Sequence, residues 1–211
     1  MRYEGIIFDL DGVIVSTDHY HYLAWKELAD EYNIYFDEEI NQRLRGVSRM
    51  ESLEIILEKA SKNFSNEEKL KMADKKNKIY QEYLKQMTCE DLSLEVKETL
   101  EKLRENNLKL AIGSSSKNTR LILKQIGLDG FFDAISDGTM IEYSKPHPEV
   151  FMKAAEFLNL DCRKCLVVED AEAGCISAKS ASMDVVGISS AMDCKYADYS
   201  ILKFSDLISI I

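Results

Sequence analysis

The stretch Ile6-Ile7-Phe8-Asp9-Leu10-Asp11-Gly12 decides how this chain is read. An apolar run stops at Asp9 and Asp11, and a glycine follows. If the run is a buried strand, alternation carries both acids to one side as the chain leaves the sheet. Carboxylates so close repel each other, and neither ionises cheaply without a cation beside them. Mg2+, a hard ion that takes oxygen ligands, suits such donors. With the charge screened, one aspartate can attack phosphorus while the other moves a proton. A plain Asp-Gly turn at a strand end is the competing reading. A second acidic pair far downstream, Glu169-Asp170 after Cys165-Leu166-Val167-Val168, favours the first.

Outward from that stretch, the rhythm divides the chain. Residues 18–87 show mainly helical periodicity. Tyr22, Trp25, Leu28, Ala29 and Tyr32 share one helical face, as do Leu53, Ile56, Leu57 and Ala60. Leu70, Ala73, Tyr80, Tyr83 and Leu84 mark a longer amphipathic helix. Ser48 with Glu51, and Ser65 with Glu68, read as capping boxes at two helix starts. From residue 94 strands and helices alternate. Helices are expected over 94–105, 117–126, 148–158 and 171–180. Strands are expected over 108–113, near 134–135, over 165–168 and over 185–188, with a weak element near Leu207. Alternation of this kind implies an α/β fold, a doubly wound parallel sheet with helices on both faces. Such sheets place ligands at the carboxyl ends of their strands. The expected core comprises residues 1–15 and 94–211. Residues 16–93 form an inserted helical cap, with hinges at 15–18 and 88–93 that permit a lid.

Bulk properties exclude several functions. A net charge of -10 over 211 residues argues against a nucleic-acid binder, which needs a basic face. No apolar run approaches a membrane span, and the N-terminus runs directly into the first strand without a signal peptide. A cytoplasmic monomer with no membrane partner is expected. The 5 cysteines are odd in number and read as ordinary thiols, including the CxxC pair Cys162 and Cys165.

Several polar residues gain meaning only together. Ser114-Ser115-Ser116-Lys117-Asn118 follows a strand and opens a helix, a place that serves equally as a phosphate site or as a serine cap. Lys145-Pro146 lies in a loop, where a lysine can set a point charge on a phosphoryl group or on the aspartates. Arg49 falls in the first turn of a capped helix and opposes its dipole. Holding a second phosphate is one reason for it, and a tolerated exposed arginine is the other. Lys76 sits among Lys75 and Lys78, where a solvated basic face is the default; His21 reads by default as a packing residue.

Together these residues resemble the haloacid dehalogenase superfamily. The shared motifs are Phe8 to Gly12, Ser114, Lys145-Pro146 and Glu169-Asp170. A narrower similarity, to the superfamily's hexose phosphomutases, runs through His19-Tyr20-His21, Ala24-Trp25-Lys26, Gly46-Val47-Ser48-Arg49, Lys76-Asn77 and Ser116-Lys117-Asn118. The resemblance implies a Rossmann-like core with a helical cap. It implies Asp9 as nucleophile, Asp11 as general acid and base, and Ser114 and Lys145 on the transferring phosphoryl group. It implies Mg2+ held by Asp9, the Asp11 carbonyl, Glu169 and Asp170. A phosphorylated hexose would be bound by Thr17, His21, Trp25, Lys26, Gly46, Val47, Ser48, Arg49, Lys76, Ser115, Ser116, Lys117 and Asn118. Arg49 would hold the distal phosphate, while Thr17, His21 and Lys76 couple cap closure to Asp11. The implied reaction interconverts β-D-glucose 1-phosphate and D-glucose 6-phosphate through an aspartyl phosphate and glucose 1,6-bisphosphate. A sugar-phosphate phosphatase on the same scaffold is the alternative. Two positions depart from the pattern: Ser16, where an acid is expected, and Ser115, where an alanine is expected.

Overall fold

The computed structural model describes residues 2–44 and 47–211. In chain order, β1 (Gly5–Phe8) leads to α1 (Asp18–Glu31), α2 (Glu38–Gln42), α3 (Arg49–Leu57) and α4 (Asn66–Leu84). Then come α5 (Leu94–Glu105), β2 (Lys109–Gly113), α6 (Thr119–Gln125), β3 (Ala134–Ser136) and α7 (Glu149–Leu158). The chain closes with β4 (Cys165–Glu169), α8 (Glu172–Ser180), β5 (Asp184–Gly187) and β6 (Tyr199–Ser200). Two compact units result: Met1–Ser16 with Met87–Ile211, and Thr17–Gln86. Among the described residues no helix is long and apolar enough to cross a membrane.

The larger unit holds a 6-stranded sheet in the order β3-β2-β1-β4-β5-β6, parallel throughout. The chain winds from β1 outward to β3, then returns to the other side of β1. The order reverses where β1 meets β4, and there the carboxyl ends of two strands leave a crevice. Alternation divides the buried side chains between two faces. Ile7, Ala111, Val167 and Val185 pack against Phe151 and Ala154 of α7 and Cys175 and Ala178 of α8. Phe8 faces the other way, its ring 6.2 Å from Phe132 and 5.7 Å from Phe204. Strands buried on both faces need continuous apolar runs, and β1 and β4 have them.

Expected and observed elements agree in kind and differ at their ends. The fourth expected helix starts at Glu172, because Ala171 remains extended as its cap. The weak terminal element is a 3-10 turn, Phe204–Ser209, and β6 is an edge strand of 2 residues that carries no periodic signal. The inference about Asp9 and Asp11 needs correction. β1 ends at Phe8, so strand alternation does not reach Asp11. Instead the chain turns back, with Ile14 N and Val15 N both donating to Leu10 O and Gly12 N to Val15 O. Gly12 has φ +86, a backbone region costly for residues with a Cβ.

The helical unit has its own core. α4 packs on α1 and α3, burying Trp25, Leu28, Ala29, Leu53, Ile56, Met72 and Ala73. Both capping boxes form as expected, Ser48 with Glu51 and Ser65 with Glu68. The buried line of α4 is Met72, Ala73, Lys76, Tyr80 and Leu84. Leu70 lies outside that line and is 58% exposed, which corrects its place in the apolar stripe. α3 ends at Leu57, so Ala60 packs from beyond the helix.

Leu166→Ala should destabilise the protein by about 2–5 kcal/mol, because Leu166 is buried at the sheet centre. Leu202→Ala, at a position 79% exposed, should stay within about 0.5 kcal/mol. Denaturant unfolding of the two variants checks the contrast.

Candidate active site

Three charged side chains meet where β1 and β4 end. Lys145 Nζ lies 2.5 Å from Asp9 Oδ1 and 2.5 Å from Glu169 Oε1. The three side chains are only 11%, 12% and 2% exposed. Asp9 extends the ladder of β1, its N–H donating to Val168 O at 3.0 Å. Glu169 is the last residue of β4, and its Oε2 accepts from Asp170 N at 3.0 Å and Ala171 N at 3.1 Å. Its carboxyl rests where a side chain on Gly174 would stand: a Cβ there would lie 1.9 Å from it. Glycine in the first turn of α8 therefore makes room for the acid. Lys145 reaches in from the loop before α7, its ammonium 4.6 Å from the Phe151 ring centroid. The flanking loop is tied by Glu149, whose carboxylate accepts from Glu142 N and Tyr143 N.

Charge is unevenly compensated here. The neighbouring carboxylates Asp9 and Glu169 outweigh burial and hold Lys145 protonated well above the ordinary lysine range. Burial raises the Glu169 carboxyl and the ammonium opposes that. The Asp170 carboxyl is pushed up to about 8, by burial first and then by the negative charge of Asp9, Glu169 and Asp11. It stands beside the turn after β1: a Cβ on Gly12 would lie 2.1 Å from its Oδ2. Acids from two strand ends thus face one another, and these surroundings drive Asp170 toward its neutral form. Among the described residues no three acidic, histidine or cysteine side chains already stand as a ready-made cation site. The expected donor set is nevertheless all oxygen, carboxylates with one backbone carbonyl, the chemistry a hard divalent cation takes.

The residues after β2 form a tight turn. Ser114 is buried; its N–H donates to Ser136 O at 3.0 Å and its Oγ accepts from Ser116 N at 3.2 Å. Ser116 Oγ accepts from Asn118 N at 3.2 Å, and Asn118, also buried, precedes α6. Ser115 is half-buried, its Oγ accepting from Lys145 N at 3.4 Å, and Lys117 is exposed. The serine hydroxyls serve as local acceptors within the turn, but the N-cap of α6 is Asn118 and no side chain makes its cap bond, which corrects the serine-cap reading of that stretch.

In the helical unit a buried lysine replaces the expected solvated face. Lys76 is 2% exposed, and its Nζ lies 2.7 Å from His21 Nδ1. It also lies 4.8 Å from the Trp25 ring centroid and 4.5 Å from that of Tyr80. An ammonium only donates, so Nδ1 accepts and the His21 proton belongs on Nε2. The His21 ring stacks on Tyr80 at 4.0 Å, and Tyr80 Oη donates to Thr17 Oγ1 at 2.9 Å. Burial, then Lys76 and Arg49, hold His21 well below its usual pKa. Arg49 opens α3; its Nη2 donates to Asn77 Oδ1 at 2.9 Å, and burial lowers its pKa. Ser48 is spent on the helix cap, Val47 is 39% exposed, and Lys26 pairs with Asp30 one turn on. Trp25 belongs to the unit's apolar core. Gly46 lies outside the described residues.

Sequence reasoning missed Tyr80 as a polar partner, Gly174 as a cradle and Asp137 as a buried acid. Tyr80 was read only as apolar. Asp137 had a signal: Ser136-Asp137-Gly138 repeats, after a third strand, the acid-glycine ending of the first.

The chain belongs to the haloacid dehalogenase-like hydrolase family: the family model of that description matches residues 6–188. It is an enzyme of that superfamily by this match and by fold. It is 40% identical, over 97% of its length and 91% of the relative's, to the beta-phosphoglucomutase of Bacillus subtilis (strain 168). A crystal structure of beta-phosphoglucomutase from Clostridium difficile superposes with a TM-score of 0.85 at 39% identity, covering 97% of this chain and 93% of that one. A phosphorylated carbohydrates phosphatase of Thermotoga maritima is 30% identical over 86% of this chain and 82% of its own.

Gly174→Ala should drive the Glu169 carboxyl from its place. Both stability and turnover are expected to fall, the former by about 1–3 kcal/mol as in overpacked sites, read by thermal unfolding. His21 should titrate well below pH 6.5, seen by NMR of its ring protons. Its depressed folded pKa means the unfolded chain binds the extra proton as pH falls below the unfolded value. Its contribution to stability is therefore complete above about pH 6.5 and lost on acidification.

Proposed function

We propose that the protein is a phosphomutase that interconverts β-D-glucose 1-phosphate and D-glucose 6-phosphate. Asp9 attacks phosphorus and becomes an aspartyl phosphate, and Asp11 moves the proton of the accepting sugar hydroxyl. Ser114 and Lys145 neutralise and orient the transferring oxygens, where positioning and charge carry most of the catalysis. Arg49 takes the phosphate at the other end of the sugar, so that glucose 1,6-bisphosphate can bind in either direction. Thr17, His21 and Lys76 couple closure of the helical unit to the alignment of Asp11. Asp9, Glu169, Asp170 and the Asp11 carbonyl would hold Mg2+, which supplies charge neutralisation for the incoming phosphate.

One observation supports this reading over hydrolysis: the helical unit holds an arginine in a place that packing and capping alone do not call for. Arg49 stands at the first position of α3, where a cation opposes the dipole, and Asn77 fixes its guanidinium. A site that holds phosphate at both ends needs such a group, whereas hydrolysis of a sugar monophosphate does not. The relative at 40% identity supports the mutase and the one at 30% supports the phosphatase reading.

The test supplies β-glucose 1-phosphate, Mg2+ and a trace of glucose 1,6-bisphosphate, and measures glucose 6-phosphate and free phosphate together. Glucose 6-phosphate without matching free phosphate is expected, and stoichiometric free phosphate would overturn the mutase. Asp9→Asn should abolish turnover. Arg49→Ala should lower mutase kcat/KM by about tenfold or more, the loss of a charge-assisted contact worth roughly 1.5–3 kcal/mol.

A further inference from the structure

The chemistry proposed above leaves one buried acid unused. Asp137 is 1% exposed and follows the last residue of β3. Its Oδ1 accepts from Thr139 N at 2.9 Å and from Thr139 Oγ1 at 2.5 Å. Its Oδ2 lies 3.4 Å from Nε of Arg120, in the first turn of α6. A charge this deep is tolerated only when paired and hydrogen-bonded, and well-packed apolar groups often stabilise as much. The acid therefore calls for a role beyond stability.

Its position supplies one. Residues 136–139 are the surface on which residues 114–117 lie. Ser136 O accepts from Ser114 N at 3.0 Å, and Gly138 N donates to Ser116 O at 3.0 Å. The two turns approach so closely that a Cβ on Gly138 would stand 2.2 Å from Ser115 O and 2.9 Å from Lys117 N. Ser115 Oγ then accepts from the backbone N–H of Lys145. Two side chains assigned to the phosphoryl group, Ser114 and Lys145, thus take their backbone positions from the segment that Asp137 folds. Arg120 ties the same acid to the helix that residues 114–118 lead into.

We propose that Asp137 is a positioning residue for phosphoryl transfer: its carboxylate locks residues 136–139, and that turn sets the places of Ser114 and Lys145. The inference rests on the phosphotransferase reading of the site. Asparagine at 137 keeps an acceptor for Thr139, and alanine removes it. A methyl group at 138 displaces the turn without touching the acid.

The experiment uses the full chain with Mg2+ and acetyl phosphate. An Asp9 oxygen attacks phosphorus, the bond to the acetate oxygen breaks, and acetate leaves; intact mass follows the gain. In parallel, inorganic phosphate is titrated against the backbone amide resonances of residues 114–118. Asp137→Ala and Gly138→Ala should slow phosphorylation and weaken phosphate binding by about tenfold or more while the circular dichroism stays that of folded protein, since small displacements in such sites are costly. Asp137→Asn should remain within about threefold of the unsubstituted protein on both readouts, the rescue a purely electrostatic role would not give. A folded Asp137→Ala variant that matches the unsubstituted protein overturns the proposal, and so does an Asp137→Asn variant as impaired as the alanine. If Asp137→Ala does not fold, Gly138→Ala and Asp137→Asn decide by the same readouts. Should the unsubstituted protein take no phosphoryl group, the phosphotransferase reading fails, and the phosphate titration alone decides whether Asp137 sets the turn.

Discussion

The Lys145 ammonium holds two acidic strand ends together. Asp9 follows β1 and Glu169 ends β4, neighbours in the sheet, and both acids are nearly buried. Without a cation between them, two like charges would stand side by side, nearly buried and unpaired. Removing one partner from such a buried arrangement typically costs about 3–5 kcal/mol, because the remaining charge is left unpaired. The surrounding structure serves this contact. Gly174 makes room for Glu169, the amides of Asp170 and Ala171 bind it, and Glu149 ties the loop that delivers Lys145.

The two units solve the same problem in different ways. In the α/β unit a cation is buried among carboxylates. In the helical unit Lys76 is buried against aromatic faces and a neutral imidazole. The first arrangement raises the lysine pKa. The second lowers the histidine's, so His21 stays neutral beside a cation. A neutral histidine that accepts at Nδ1 has its Nε2–H free of that bond as a directed donor, a property set by packing. Both units thus bury charge at the residues to which the proposed chemistry assigns binding, and pair that charge with groups specific to the unit.

Much of the larger unit was legible because its signals are local. Apolar runs ending in acids and a change of rhythm at residue 94 located most of its strands and helices. Errors arose where local signals were weak or misleading. The path of Asp11 depends on a turn closed by Leu10, Gly12 and Val15, which alternation does not describe. Leu70 is apolar but out of register with the buried line of α4, while Lys76 is charged and in register. Register with a neighbouring helix outweighed residue type at both positions.

By itself the sequence determined which residues could do chemistry. Two acidic strand ends, a loop lysine and a serine-rich turn carry their residue types wherever the chain goes, and hydrophobic period is enough to order strands and helices. Only the tertiary structure decided which of them meet. Asp9, Lys145 and Glu169 are separated by 136 and 24 residues along the chain, and their contact exists because β1 and β4 are adjacent in a sheet whose order reverses there. The same holds for His21 and Lys76, 55 residues apart. Pairing across such distances depends on strand order and helix packing, and no local pattern encodes either.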